Sequence, residues 1–287
     1  MTSNLAAVSY GVKLSPDSLE GVRKVLADAG AEVSAESHSG DDRFGVFTSE
    51  LNVRLDSPAE LSNLRRRVAE AAVEGADTAL VPASLRQAGR KLLIMDVDST
   101  LIQQEVIELL AAYAGKREEV AAVTEAAMRG ELDFAQSLHA RVAVLAGLPA
   151  DVVNSVRDEV RLSLGAAELV AAFKAAGHKV AVVSGGFNQI LGPIAEDLGL
   201  DYWIANELEI VDGALTGKVL GAVIDRAAKE KYLRQWAAAE GIELAHTIAV
   251  GDGANGVAFN AKPAVRAVAD AAINMPYLDA VRHIANV

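Results

Sequence analysis

The chain opens with AVSYGVK (7–13), where apolar and polar residues alternate as in a half-buried strand, and passes into helical apolar spacing over SPDSLEGVRKVLADA (15–29). GVFTSELNVR (45–54) reads as a further strand, 57–74 as a second helix, and TALVP (78–82) as a closing strand. The pattern changes at KLLIMDVDST (91–100), a continuous apolar run that ends in acidic and hydroxyl residues. Helical spacing then holds from 103 to about 176. Val106, Leu109, Leu110 and Tyr113 share one face there, and Gly115, Gly130 and Gly147-Leu148-Pro149 mark breaks. Strands return with KVAVVS (179–184), YWIA (202–205), a hairpin over ELEIVDGALTGKV (207–219), and TIAVGD (247–252).

The first series, three strands and two helices, is taken as the order β-α-β-β-α-β over 1–84, the ferredoxin-like plan, and in size and position it resembles an ACT-type amino-acid-sensing module. Fold order does not specify a ligand, so packing or homodimerisation is the expected role, ahead of sensing serine or another amino acid. The basic, polar stretch ASLRQAGRK (83–91) marks the boundary. Over 90–287, continuous apolar strands alternate with helices, which predicts an α/β domain whose parallel sheet is covered on both faces.

With 287 residues, 51% of them hydrophobic, and only 7 Pro, the chain has the apolar surface for ordinary globular cores. Its 27 basic and 39 acidic residues leave a net charge of −12, which disfavours nucleic acid and anionic membrane as partners. The absence of cysteine excludes disulfides, thiolate nucleophiles and Cys-ligated zinc, and suits a reducing cytoplasm. Met1 to Tyr10 carries no basic segment followed by an apolar one, and no uncharged apolar run reaches 18 residues, so the expectation is a soluble, unprocessed cytoplasmic protein.

In an open parallel sheet, ligands bind beyond the carboxyl ends of the strands. Three strands here end in polar residues: one delivers Asp96, Asp98, Ser99 and Thr100, another Ser184, Gly185 and Gly186, and the last Gly251, Asp252, Gly253 and Asn255. Carboxylates gathered at one sheet edge repel each other unless they share a cation, and an all-oxygen set suits Mg²⁺. Zinc chemistry lacks support, because His38, His139, His178, His246 and His283 have no metal-ligand spacing. SGGFN around Ser184 is not the G-x-S-x-G elbow of a serine hydrolase.

DVDST (96–100), SGG (184–186), Lys229 within DRAAKEKYL and GDGAN (251–255) resemble the four ordered motifs of the haloacid dehalogenase superfamily of phosphotransferases. Glu105, TEAAMRGELDFAQSLHARV (124–142) and ELEIVDGALTG (207–217) are similar to the phosphoserine phosphatases within it, so the resemblance covers about 90–280. It implies a Rossmannoid parallel sheet with a helical cap at about 103–176. It also implies hydrolysis of phosphoserine through a phosphoaspartate, with Asp96 as nucleophile and Asp98 as acid and then base. Mg²⁺ would be held by the side chains of Asp96 and Asp252 and the main-chain carbonyl of Asp98. Ser184, the amides near Gly185, and Lys229 would stabilise the phosphoryl oxygens. For the substrate's amino-acid part the resemblance implies Glu105 on the ammonium, Arg141 on the carboxylate, Met128 and Phe134 as an apolar ceiling, and Asn255 beside it.

The fourth motif departs from that pattern. GDGANG (251–256) formally satisfies G-x-G-x-x-G, but GVAFNAKPAV follows as a strand and not as the helix a dinucleotide site requires. Gly256 stands where the superfamily has a second Asp that supports the Mg²⁺ site from behind, and the helix after it is missing. About four residues separate TIAVGD from GVAF, whereas a crossover between parallel strands takes a dozen or more, so the last strand is expected not to reach its usual place. LSLGAAEL (162–169) lacks the Pro that relatives tend to have before the glycine, which loosens a helix start. The alternative function is a catalytically impaired amino-acid-binding or regulatory protein.

Overall fold

The computed structural model describes residues 3–41, 45–56, 61–71, 75–251, 256–261 and 269–287. The N-terminal elements are β1 (Ser3–Gly11), α1 (Pro16–Asp28), β2 (Glu32–Asp41), β3 (Val46–Leu55), α2 (Leu61–Glu70) and β4 (Ala76–Pro82), followed by the single turn α3 (Ala83–Arg86). The first four-stranded sheet has the order β2-β3-β1-β4 with every pair antiparallel, which is the ferredoxin-like plan. Helix α1 starts where Ser15 Oγ accepts the Ser18 N–H at 3.2 Å and Pro16 occupies the first helical position. Leu5, Ala7, Leu51, Val53 and Leu80 from the sheet enclose Val22, Leu26, Leu64 and Val68 from the two helices in one buried core.

The second sheet comprises β5 (Leu92–Met95), β6 (Lys179–Phe187), β7 (Tyr202–Val211), β8 (Ala214–Leu220), β9 (Thr247–Gly251), β10 (Val257–Phe259) and β11 (Ala271–Ile273). Its order is β11-β10-β9-β5-β6-β7-β8. The pairs β6–β7, β9–β10 and β10–β11 are parallel, whereas β7 and β8 form the expected antiparallel hairpin. Asp212 and Gly213 at its tip both take positive φ, as a two-residue turn between twisted strands requires.

The helical stretch resolves into α4 (Val106–Tyr113), α5 (Arg117–Met128), α6 (Phe134–Ala143), α7 (Val152–Glu159) and α8 (Ala166–Ala175), with breaks where the glycines lie. Later helices are α9 (Asn188–Leu198), α10 (Arg226–Ala239) and α11 (Ala280–Ala285). By internal contacts the chain forms two compact units. One comprises Met1–Ile94, Ser163–Val180 and Gly241–Val287; the other comprises Met95–Leu162 and Ala181–Glu240. No helix among the described residues is long and apolar enough to cross a membrane.

The expectation for the last strand is corrected. Strand β10 pairs in parallel with β9, Val257 beside Val250 and Ala258 beside Gly251. It overlaps only the end of β9, with Val257 level with Val250, so the length rule for a full crossover does not apply. Gly256 makes this register work: its φ is +86°, and a Cβ there would stand 2.4 Å from the Ala249 carbonyl oxygen. An Asp at 256 would be strained by this backbone and would force a shift beside Ala249. The helix α8 begins directly after Gly165, without the Pro.

Candidate active site

Leu92 to Met95 are all buried, so β5 is a fully enclosed apolar strand, and the first polar side chain beyond it is Asp96. The chain leaves the strand in a wide turn over Val97–Leu101, closed by Ile102 N–H to the Val97 carbonyl at 3.0 Å. Asp96 Oδ1 accepts the Val97 N–H at 2.8 Å. Ser99 sits in the left-handed region with φ 55°. Its N–H reaches the Gln104 carbonyl at 3.3 Å, and its hydroxyl donates to Glu105 Oε1 at 2.7 Å. This turn draws Asp96, Asp98 and Glu105 together.

Asp98 Oδ1 is shut away from solvent without a hydrogen-bond partner. Burial pushes the Asp98 carboxyl well above its ordinary pKa, and the negative fields of Glu105 and Asp96 add to the shift; the Val106 N–H and Lys229 oppose it less strongly. These surroundings favour the protonated form of Asp98 over its carboxylate. Asp96 is held differently, by an ion pair from Lys229 Nζ to its Oδ2. Lys229 lies in the first turn of α10, a helix capped by Asp225 Oδ1 accepting the Ala228 N–H at 2.8 Å. Sequence spacing alone would leave this lysine solvated, yet its side chain is only 36% exposed.

From β6 come Ser184, buried at 1% exposure, and Gly185 and Gly186. Gly186 N–H donates to Ser184 Oγ at 2.8 Å. A Cβ on Gly186 would stand 3.4 Å from Asp98 Oδ2, and one on Gly185 only 3.0 Å from Phe134 Cζ, so these groups crowd one place. Phe134 opens α6, whose start is fixed by Asp133 Oδ1 accepting the Gln136 N–H at 2.8 Å and Gln136 Oε1 accepting the Asp133 N–H at 2.9 Å. Arg141, two turns on and on the same helix face, is half-buried. Its Nε donates to the Ser137 carbonyl at 3.3 Å. Burial lowers its pKa, while Glu105, Asp98 and Glu108 pull it back up, and the guanidinium stays charged.

Asp96, Asp98, Glu105, Phe134, Arg141, Ser184, Gly185 and Lys229 are thus gathered by one compact unit. Asp252 and Asn255 lie outside the described residues, as does the side chain of Met128. Sequence reading missed Asn206, a buried amide in β7 that binds the carbonyls of Gly185 and Gly186. Its signal was an Asn following the apolar YWIA of a strand, a residue that strand interiors disfavour.

Among the described residues no three His, Asp or Glu side chains are placed to hold a metal by themselves. The site nonetheless fits a hard divalent cation. Asp96, Glu105 and Glu108 outnumber the neighbouring cations Lys229 and Arg141, the donors are oxygens, and Asp98 Oδ1 has no hydrogen-bond partner.

The model of the haloacid dehalogenase-like hydrolases matches residues 93–256. The chain is 52% identical over 280 residues to the phosphoserine phosphatase of Streptomyces coelicolor, covering 91% of this chain and 68% of that protein. It is also 52% identical over 221 residues to the phosphoserine phosphatase SerB2 of Mycobacterium tuberculosis, covering 74% of this chain and 54% of the relative. The chain therefore spans between about half and two thirds of the length of these two relatives. Among solved structures, a probable phosphoserine phosphatase from Vibrio cholerae superposes with a TM-score of 0.72 at 34% identity, over 98% of this chain and 86% of that one.

Proposed function

Because the chain belongs to the haloacid dehalogenase-like hydrolases, we propose that it hydrolyses O-phospho-L-serine to L-serine and inorganic phosphate, the last step of serine biosynthesis, through a phosphoaspartate at Asp96. The observation that carries this reading is a pair of carboxyls two residues apart in different surroundings: Asp98 is buried beside Glu105 and Asp96, which raises its pKa, and Asp96 is ion-paired with Lys229. A buried carboxyl with a raised pKa beside an ion-paired carboxylate suits a division of work between acid and nucleophile.

In the first step an Asp96 carboxylate oxygen bonds to phosphorus, the bond from phosphorus to the serine oxygen breaks, and Asp98 gives its proton to that oxygen. In the second, Asp98, now ionised, takes a proton from water as the water oxygen bonds to phosphorus and the Asp96–phosphorus bond breaks. Phosphate leaves, and both carboxyls are restored. Lys229 and the Ser184 hydroxyl would hold the phosphoryl oxygens, which carry the charge that shifts during transfer. Arg141 would pair with the substrate carboxylate and Glu105 with its ammonium, under Phe134 and Met128. A Mg²⁺ ion, held by Asp96, the main-chain carbonyl of Asp98 and Asp252, would offset repulsion between the Asp96 carboxylate and the phosphate.

In this reading the N-terminal ferredoxin-like domain serves packing or dimerisation, which light scattering of the intact protein tests. The chemistry is tested by incubating the protein with phosphoserine and Mg²⁺, measuring serine and phosphate release, and seeking phosphoaspartate at position 96 by mass spectrometry. A folded protein that gives neither turnover nor phosphoenzyme overturns the reading.

A further inference from the structure

Asn206 lies in β7 opposite Phe187 of β6, is 2% exposed, and has no part in the scheme above. A buried side-chain amide has to be satisfied, and here the main chain does it. Nδ2 donates to the Gly185 carbonyl at 2.8 Å and to the Gly186 carbonyl at 3.3 Å, and Oδ1 accepts the Ile224 N–H at 2.9 Å. The β6–β7 register shifts between Val183 and Phe187, so this side chain supplies Gly185 and Gly186 with partners at the point where the ladder is irregular.

Two consequences follow from these bonds. A peptide group is planar, so holding the Gly185 carbonyl also orients the Gly186 N–H, which donates to Ser184 Oγ at 2.8 Å. The Ser184 hydroxyl, having accepted that bond, keeps its own proton to donate. On the other side, Ile224 immediately precedes Asp225, the cap of α10, and the Lys229 N–H bonds to the Asp225 carbonyl at 3.1 Å.

The geometry points to Asn206 as a positioning residue for phosphoryl transfer, a single amide that sets the spacing between the Ser184 hydroxyl and the Lys229 ammonium. The inference rests on the phosphohydrolase reading above and adds that its phosphate-binding groups are brought into register by a side chain outside the recognised motifs. Groups that meet charge developing in the transition state need tighter placement than groups that bind the ground state.

The test compares the intact wild-type chain with Asn206→Ala and Asn206→Asp by steady-state kinetics with phosphoserine, inhibition by orthovanadate as a mimic of the transferring phosphoryl group, and thermal melting. For Asn206→Ala, kcat is expected to fall by about 10- to 100-fold and vanadate inhibition to weaken in step, with KM staying within about threefold. An Asp at 206 can donate to a glycine carbonyl only when protonated and repels both carbonyls when ionised. The ratio of its kcat to wild type should therefore fall with rising pH, while the ratio for Asn206→Ala stays level.

A merely structural Asn206 would shift the melting temperature and leave kcat per folded molecule, vanadate inhibition and the pH ratio unmoved; that result in either folded variant overturns the proposal. Should Asn206→Ala fail to fold, Asn206→Asp carries the test. A wild type that ignores phosphoserine but hydrolyses p-nitrophenyl phosphate overturns the substrate reading alone, and the same comparison on that ester decides Asn206. A folded wild type inert towards both overturns both.

Discussion

Lys229 and Asp96, 133 positions apart in the chain, meet in the folded protein as an ion pair between Nζ and Oδ2. The lysine lies on the oxygen pair that would attack phosphorus, so it both orients the carboxylate and stands ready to meet phosphate charge. Lys229→Met is expected to lower kcat for phosphoserine by about 10²- to 10³-fold. A loss below twofold in steady-state kinetics would remove Lys229 from the site's chemistry.

The raised pKa of Asp98 matters most for a leaving group that needs a proton. Serine alkoxide needs one and p-nitrophenolate does not. Asp98→Asn should cut phosphoserine turnover by about 10²- to 10⁴-fold, yet still release a burst of p-nitrophenol from p-nitrophenyl phosphate, because only the later attack of water then lacks its base. Stopped-flow absorbance reads the burst, and equal first-turnover losses on both esters would contradict the acid role.

Arg141 is charged, half-buried, and in the field of Glu105, Asp98 and Glu108. Arg141→Ala should raise KM for phosphoserine about tenfold or more and change turnover of phosphoethanolamine, which lacks the carboxylate, much less. If both substrates suffer equally, the guanidinium does not read the carboxylate.

Away from this site, His178 Nδ1 accepts the Lys91 N–H at 3.3 Å. Burial, aided by Lys91, holds its pKa below the usual imidazole value. The folded state thus prefers the neutral ring. The stability it contributes is complete above the unfolded pKa of about 6.5 and is lost as pH falls from there through the folded value. Urea midpoints measured between pH 8 and 5 should decline more for wild type than for His178→Gln. Parallel curves would show that this histidine does not govern the acid side.

Gly256→Asp restores the acidic residue of the superfamily pattern but places a Cβ against the Ala249 carbonyl at positive φ. Melting temperature is expected to drop by on the order of 5 °C, without a gain in activity. A variant as stable as wild type would mean that β10 can leave its register beside β9.

Much of the fold was legible because burial writes itself into residue pattern. LLIM followed by DVD announced an enclosed strand emptying into an acidic tip, and the glycines at 115, 130 and 147 marked where helices break. Three of the four strands of the first sheet followed from alternation and helical spacing; β2, exposed along most of its length, carries no alternating apolar pattern and was not legible as a strand. Lys229 was harder to read, because its sequence neighbours Glu230 and Lys231 resemble a solvated helix face and only the placement of α10 turns it towards Asp96.

By itself, the order of apolar runs and polar strand ends pointed to the α/β class, to three strands and two helices of the first domain, and to the polar strand tips now proposed to carry phosphoryl chemistry. The tertiary structure alone decided the stagger of β10, the enclosure that raises the pKa of Asp98, and the bonds by which Asn206 ties Gly185 and Gly186 to Ile224. Periodicity records whether a side chain is buried. Register, desolvation and hydrogen bonding between distant segments depend on which neighbours the folded chain brings to it, and those distances are set only when the strands and helices have packed.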